Sequence, residues 1–353
     1  MKFETKPFSD QDISDFIDLS HSEYLRTEGM KNSEFIKWKF TLNPQGNSNY
    51  FFFKKKEKVV GRILSAHYPG KLILDKQLFD SFCLSDLLIK KEYRQLSNLK
   101  FLYKKCIDET KGVIFHSSNE NSEKFYTRIL NNKIFFNLIS CGIAISTKPL
   151  KKYNSFSRIL YSFFLKIYLF FLYLITSFVK MFDNLEIGYY DKIIFDKDIE
   201  YIRDLNFEKG ECFFFKNKDF FRWRYKIYNN VHLLKLFKSE KCKGYVSLIE
   251  SKVLGLKNLV ILDFLFLNEL NFIEKIKFKN EIIKIAKRTN CDTIYSLGNK
   301  NSNIYKNILG YPFFEIPDKF LPHSNPMFIH NLPEKYNSNI KSINFTISDF
   351  DYF

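Results

Sequence analysis

Residues 11–27 set Ile13, Phe16, Ile17, Leu19 and Tyr24 at helical spacing behind Ser9-Asp10, a natural N-cap, so the pattern predicts an opening amphipathic helix. Four short β-rich runs follow, at 50–53, 59–64, 71–74 and 82–89, split by Lys/Glu clusters or a Pro-Gly pair, and they predict an antiparallel meander. Over 98–110 the side chains of Leu99, Leu102, Tyr103, Cys106 and Ile107 share one helical face. Residues 113–116 are strand-like again, and 122–130 reads as a short helix with Asn121 or Ser122 as cap and Glu123 in its first turn. The succession then recurs. Residues 220–225, 233–237, 244–249 and 258–267 read as strands, 272–288 as a long amphipathic helix and 293–297 as the strand after it.

The two successions match residue by residue at several points. The two tryptophans lie in Phe35-Ile-Lys-Trp38-Lys-Phe40 and Phe220-Phe-Arg-Trp223-Arg-Tyr225. Gly61 and Gly244 sit in equivalent strand-like runs, and Leu84-Ser-Asp86-Leu-Leu-Ile89 answers Val260-Ile-Leu-Asp263-Phe-Leu265. Asn119-Glu-Asn121-Ser122-Glu-Lys-Phe-Tyr126 aligns with Asn299-Lys-Asn301-Ser302-Asn-Ile-Tyr305 after one inserted residue. The partners stand 185, 183, 177 and 180 residues apart and keep their order, which points to duplication. The expected architecture is therefore α/β (α+β). Residues 1–150 and 191–335 form two domains, each a mixed, mostly antiparallel sheet flanked by helices; 151–190 is an apolar helical connector and 336–353 a tail.

Strand, helix, strand and then N-x-N-S-x-x-x-Y-x-x-I-L resembles the second half of the GCN5-related N-acyltransferase (GNAT) fold. The stretch F-x-x-W-K-F-x-x-N-P-x-G at 35–46 is similar to a tandem branch of that superfamily associated with surface polysaccharide synthesis. The resemblance implies acetyl-CoA or another acyl-CoA as co-substrate and no metal. It also implies that the CoA pyrophosphate lies on backbone amides at a helix N-terminus. The matching stretch keeps Tyr93-Arg94, but Leu96-Ser97-Asn98-Leu99 stands where the family has two glycines. The second half, at 267–272, lacks the arginine as well, so the first half is the expected binder. Implied cofactor-binding residues are Leu88, Ile89, Arg94, Gln95, Ser97 and Asn98, with Asn119 or Asn121 orienting substrate or pantetheine. Implied catalytic residues are Tyr126, as the acid that protonates the departing thiolate, and Asp86 or His116 as the base on the amine. Each has a plainer role open to it: a core tyrosine, an aspartate satisfying nearby amides, a lone histidine. The tryptophans are most simply core or interface anchors.

By that resemblance the activity is transfer of an acyl group to an amine on a sugar or sugar-lipid precursor. A FemABX-type aminoacyl transfer from charged tRNA and a non-catalytic tandem scaffold remain as alternatives. The 55 basic and 39 acidic residues leave a net charge of +16, which suits nucleic acid, anionic lipid or nucleotide phosphates. Lys, Asn, Ile, Phe and Tyr are all abundant together, so part of that basicity is compositional. Where the charge sits says more. From Lys124 to Phe182 there is no acidic residue and nine basic ones, and within this stretch 159–179 is almost wholly apolar. An interfacial helix or hairpin on an anionic membrane surface, a packed connector and a single span are all compatible with it. The six cysteines are scattered without ligand spacing and read as free thiols. The N-terminal residues lack the apolar core of an export signal, so the expected location is cytoplasmic, with the inner membrane face as a docking surface.

Overall fold

The computed structural model describes every residue except 24–31, 68–69, 119, 147, 150–158, 160–161, 169, 172–173, 176–184, 254, 317–324 and 350–353. The first half supplies β1 (Lys2–Pro7), β2 (Asn49–Lys55), β3 (Lys58–Ala66), β4 (Lys71–Leu74), β5 (Gln77–Ile89), β6 (Val113–Ser117) and β7 (Ile134–Ala144). The second supplies β8 (Leu185–Tyr190), β9 (Phe213–Phe215), β10 (Val231–Lys238), β11 (Lys241–Val253), β12 (Leu256–Phe266), β13 (Thr293–Asn299), β14 (Phe314–Glu315) and β15 (Asn325–His330). Helices α1 (Ile13–Glu23), α2 (Ser33–Phe40), α3 (Leu96–Glu109) and α4 (Glu120–Lys124) belong to the first half. The connector contributes α5, helical at 162–168, 170–171 and 174–175, and α6 (Lys197–Lys209), α7 (Lys218–Tyr225) and α8 (Phe272–Arg288) belong to the second half.

One sheet crosses the molecule in the order β1-β2-β3-β5-β6-β15-β7-β13-β12-β11-β10-β8. Read from either end, the order is the same, which is the duplication written in hydrogen bonds. At the centre the two halves exchange their last strands: β7 pairs with β13, β15 pairs with β6, and β7 and β15 pair with each other. Residues 134–144 thus belong to the first half by chain and to the second by pairing. Each exchanged strand covers an edge that β6 or β13 would otherwise expose. The close approach needs a glycine, since a Cβ at Gly142 would stand 2.1 Å from the Ile294 carbonyl oxygen. A smaller sheet joins β4 to β5 and to β9, again across the halves.

The repeated tryptophan motif marks the same axis. Trp38 and Trp223 stack with centroids 4.8 Å apart and planes 15° apart, and each indole N–H donates to the other's backbone oxygen at 2.8 Å. Both are buried, so the two indoles anchor the contact between the halves.

Two expectations from the pattern are corrected. Residues 220–225 are not a strand but the body of α7. Asn217 caps that helix by accepting from Phe220 N, and Asp219, Arg222 and Lys226 form its exposed face at helical spacing; the aromatic run between them has the composition of a strand. The region expected as a loose tail is built into the second half: Ile340, Ile343, Phe345, Ile347 and Asp349 are buried, and the Phe345 ring meets Phe115, Phe136 and Phe214.

Candidate functional site

The sheet contains two parallel pairs, β5 with β6 and β12 with β13, at equivalent places. Both separate partway along. On one side pairing ends at Cys83 and Phe115; on the other it ends at Ile261 and Ser296. Beyond those points each pair opens into a wedge, and the outer strand also bulges there. Asp86 and Leu87 have no register partner on β3, and Leu262 has none on β11. Asp86 has a φ of 58°. A bulge inside a wedge leaves backbone N–H and C=O groups without a ladder, which is where an extended ligand can pair as a strand would.

The two wedges differ in what fills them. In the first, Ser85, Asp86 and Leu87 are all partly exposed, while the Asp86 side chain is only 6% exposed, so the bulge offers its backbone to solvent. In the second, every residue from 259 to 266 is buried. The C-terminal residues lie over it: Asn299 Nδ2 donates to Lys341 O at 2.8 Å and Ile343 O at 3.2 Å, Asn344 Nδ2 donates to Phe264 O at 3.2 Å, and Thr346 Oγ1 donates to Asp263 Oδ1 at 3.2 Å.

Asp86 and Asp263 match in the repeat, and each lies beside a buried lysine. Lys39 Nζ, from α2, is 3.1 Å from Asp86. Burial pushes the Asp86 carboxyl up, but Lys39 and Arg62 override it and hold it below the usual carboxylate range. Arg62 is itself fully buried, donating to Phe16 O at 2.5 Å and Ser20 Oγ at 2.7 Å. In the second half Lys216 Nζ lies 2.7 Å from both Asp263 and Asp349. Burial opposes the Lys216 charge, yet the two carboxylates keep it above its ordinary value. Asp349, beside Asp263, is raised by burial first. A carboxylate paired to an ammonium and held low in pKa is a weak proton acceptor. Its evident work is to pin the bulge.

The helix after each wedge shows the same contrast. At the start of α3 residues Arg94 to Ser97 are exposed, the Arg94, Gln95 and Asn98 amides donate to nearby carbonyls and leave those of Leu96 and Ser97 to face a ligand, Gln95 makes no side-chain cap, and the first turn holds no acid. Arg94 folds back, its Nε and Nη2 donating to Ile89 O at 3.1 and 3.0 Å and Nη2 also to Glu23 at 2.6 Å. Asn98 Nδ2 donates to Tyr93 O at 2.8 Å. Leu88 and Ile89 are buried members of β5. At α8, Asn271 and Glu274 form a reciprocal capping box at 2.9 Å each way. Glu274 also meets Lys238 at 2.7 Å. An anion would find free amides and an unopposed dipole at α3, but occupied amides and a carboxylate at α8.

Tyr126 and His116 come together on the α3 face, away from Asp86, which faces α2. The rings of Tyr126 and His116 are 4.6 Å apart, and both pack on Phe328 of the exchanged β15. Tyr103 OH is 2.9 Å from His116 Nε2 and 2.8 Å from His330 Nε2, and Asn132 donates to it at 2.6 Å. Burial, and then the neighbouring His330, drives the His116 pKa well below 6.5; burial alone takes His330 down to about 4. The lowered pKa keeps the His116 imidazole neutral near neutrality and makes it a weak proton acceptor. Asn119 lies outside the described residues, and the Asn121 side chain is likewise not described. The one-residue difference between the copies is absorbed at the tyrosine itself, which sits on a wide π-turn at 125–129 in the first half. Tyr305 sits on a tight 3-10 turn, its OH donating to Ile139 O at 3.2 Å. His330 and Asn132 gave no sequence signal, because only tertiary pairing brings them to Tyr103. The Asn271-x-x-Glu274 spacing is the signal that could have found the cap of α8.

No protein-family model and no curated protein sequence matches the chain. Solved structures do. The chain is similar to a GCN5-related N-acetyltransferase from Anabaena variabilis ATCC 29413, with TM-score 0.56, 11% identity, and 93% of this chain and 72% of that one covered. It is similar to another GCN5-related N-acetyltransferase, from Kribbella flavida, with TM-score 0.54 at 8% identity, covering 93% and 70%. It is also similar to the Saccharomyces cerevisiae N-myristoyltransferase with bound myristoyl-CoA, with TM-score 0.52 at 11% identity, covering 94% and 79%. At these identities the likeness is one of fold, and it covers nearly the whole chain: the chain has the fold of the GCN5-related N-acetyltransferases, built in two coupled copies.

Proposed function

We propose that the chain is an acyl-CoA-dependent N-acyltransferase whose first half holds the thioester. The observation that carries this reading is the contrast between the two helix starts. At α3 an acid-free N-terminus stands beside an open bulged wedge, whereas α8 is capped by its own Glu274 beside a wedge filled with side chains. The residues present fit acyl-CoA. The first amides of α3 would take the pyrophosphate, with Ser97 and Gln95 at its edge, and the open backbone of 85–87 would pair with the pantetheine amides. The bound thioester would supply an activated acyl group. This chain's own contribution is to polarise the carbonyl with bulge amides fixed by the Asp86–Lys39 pair, and to hold the amine in line. Tyr126 remains the group proposed to give a proton to the leaving sulfur, with Tyr103 and His116 setting its ring, and the proton the amine nitrogen loses as the amide forms would return through solvent to the phenolate.

An amine on a sugar or sugar-lipid precursor is the proposed acceptor, on the resemblance of the 35–46 stretch alone. Titration calorimetry of the full chain with acetyl-, octanoyl- and myristoyl-CoA tests the reading. One site per chain, with affinity that depends on acyl length, is the expected result. No heat from any of the three thioesters would defeat it, and salt-sensitive RNA binding in its place would favour aminoacyl transfer from tRNA.

A further inference from the structure

The connector helix carries an aromatic surface that the acyl-transfer reading does not use. Phe163, Phe164, Phe170, Phe171, Leu174 and Ile175 of α5 are between 37% and 59% exposed. At 100° per residue they share one arc of about 140°. Leu165 looks the other way and is buried. Tyr168 borders the arc beside Ile175, donating to Pro312 O at 3.1 Å while its ring meets Tyr311 edge-on at 5.6 Å. One flank of α5 is thus already docked, and the aromatic arc is what remains outward. Tyr311 lies 6.2 Å from Phe314 of β14, which is 53% exposed, so the patch continues from the helix onto the sheet edge. Patches of contiguous exposed rings mark interaction surfaces.

The charge around the patch selects its partner. The chain has no acidic residue and nine basic ones from Lys124 to Phe182, and Lys166 is exposed on the shoulder of the arc. A second copy of the chain would set like charge against like charge at such a contact. A layer of anionic headgroups complements it, and exposed rings beside a lysine on one helix are a form that enters the headgroup–acyl boundary. Among the described residues no helix is long and apolar enough to cross a membrane.

We propose that α5 and the adjoining Phe314 edge dock the protein flat on an anionic lipid bilayer. The proposal is independent of the acyltransferase reading. The test is flotation of the full chain with vesicles of phosphatidylcholine alone and of equal parts phosphatidylcholine and phosphatidylglycerol. Partitioning at least about tenfold stronger onto the mixed vesicles, weakening with salt, is expected. The double variant Phe163→Ser/Phe170→Ser should lose at least about another tenfold. Both positions are exposed, so the fold should persist, and the same variant should match the parent chain in melting temperature and in acyl-CoA titration. Failure to float with either vesicle type, or a variant that floats like the parent, would overturn the proposal. So would a dimer in sedimentation that the double variant abolishes without any vesicle binding.

Discussion

The two halves of this molecule share a topology and differ in what they do with it. Each splays a parallel strand pair around a bulge, and each sets a buried lysine against the aspartate there. In the first half the wedge keeps exposed backbone and the next helix begins uncapped by any side chain. In the second, the chain's own C-terminal residues occupy the wedge and Glu274 occupies the helix start. Duplication thus left one copy with an open wedge and an acid-free helix start and made the other a self-satisfied support. That support returns His330 and Phe328 to the first copy through an exchanged strand.

The largest effects should come from the buried ion pairs. Lys216→Ala would strand Asp263 and Asp349 together in the core and should cost about 4 kcal/mol in urea unfolding. Lys39→Ala should cost about half as much, since the bulge beside Asp86 reaches water. The reverse ranking would break the contrast between a filled and an open wedge. Acid should act next, and on the first half. A histidine with a lower pKa in the folded chain leaves the unfolded chain to bind protons first. Stability is therefore full above about 6.5 and drains as pH falls toward about 4. His330 alone should account for up to about 3 kcal/mol of that loss. His330→Phe should flatten the melting-temperature profile over this window, whereas Ser296, the counterpart of His116 in β13, has no such titration to lose.

Ser97→Glu would give α3 the acid that α8 already has. It should weaken acyl-CoA binding at least about tenfold while leaving the melting temperature unchanged or raised, because an acid in the first turn suits the helix. Glu274→Gln should leave that affinity unaltered, and a loss there would place the ligand in the wrong half. Smallest, Trp38→Phe and Trp223→Phe should each cost about 1 kcal/mol, and equally, since each removes one indole donor from a reciprocal pair. Unequal costs would show that the axis between the halves is less symmetric in energy than in geometry.

Much of the repeat was legible in the chain. The aspartates 177 residues apart fall at matching bulges, and 272–288 and 71–74 are the helix and strand their periodicity predicts. The lysines that pair with those aspartates were not, because Lys39 stands inside the tryptophan motif and Lys216 precedes it by four residues, so alignment alone never pairs them with equivalent partners. The aromatic helix α7 passed for a strand because its run of aromatic residues carries β propensity, although Asp219, Arg222 and Lys226 mark one exposed face at helical spacing.

What the sequence determined by itself was local and periodic: which stretches alternate, which turn as helices, where a cap forms, and that the plan occurs twice. Tertiary structure decided the rest, because strand exchange, the entry of 339–349 into one wedge and the meeting of Tyr103 with two histidines join residues more than 200 positions apart in places. Contacts at that separation are selected by which edges and cavities the assembled sheet leaves unsatisfied, and no window of the chain carries that information.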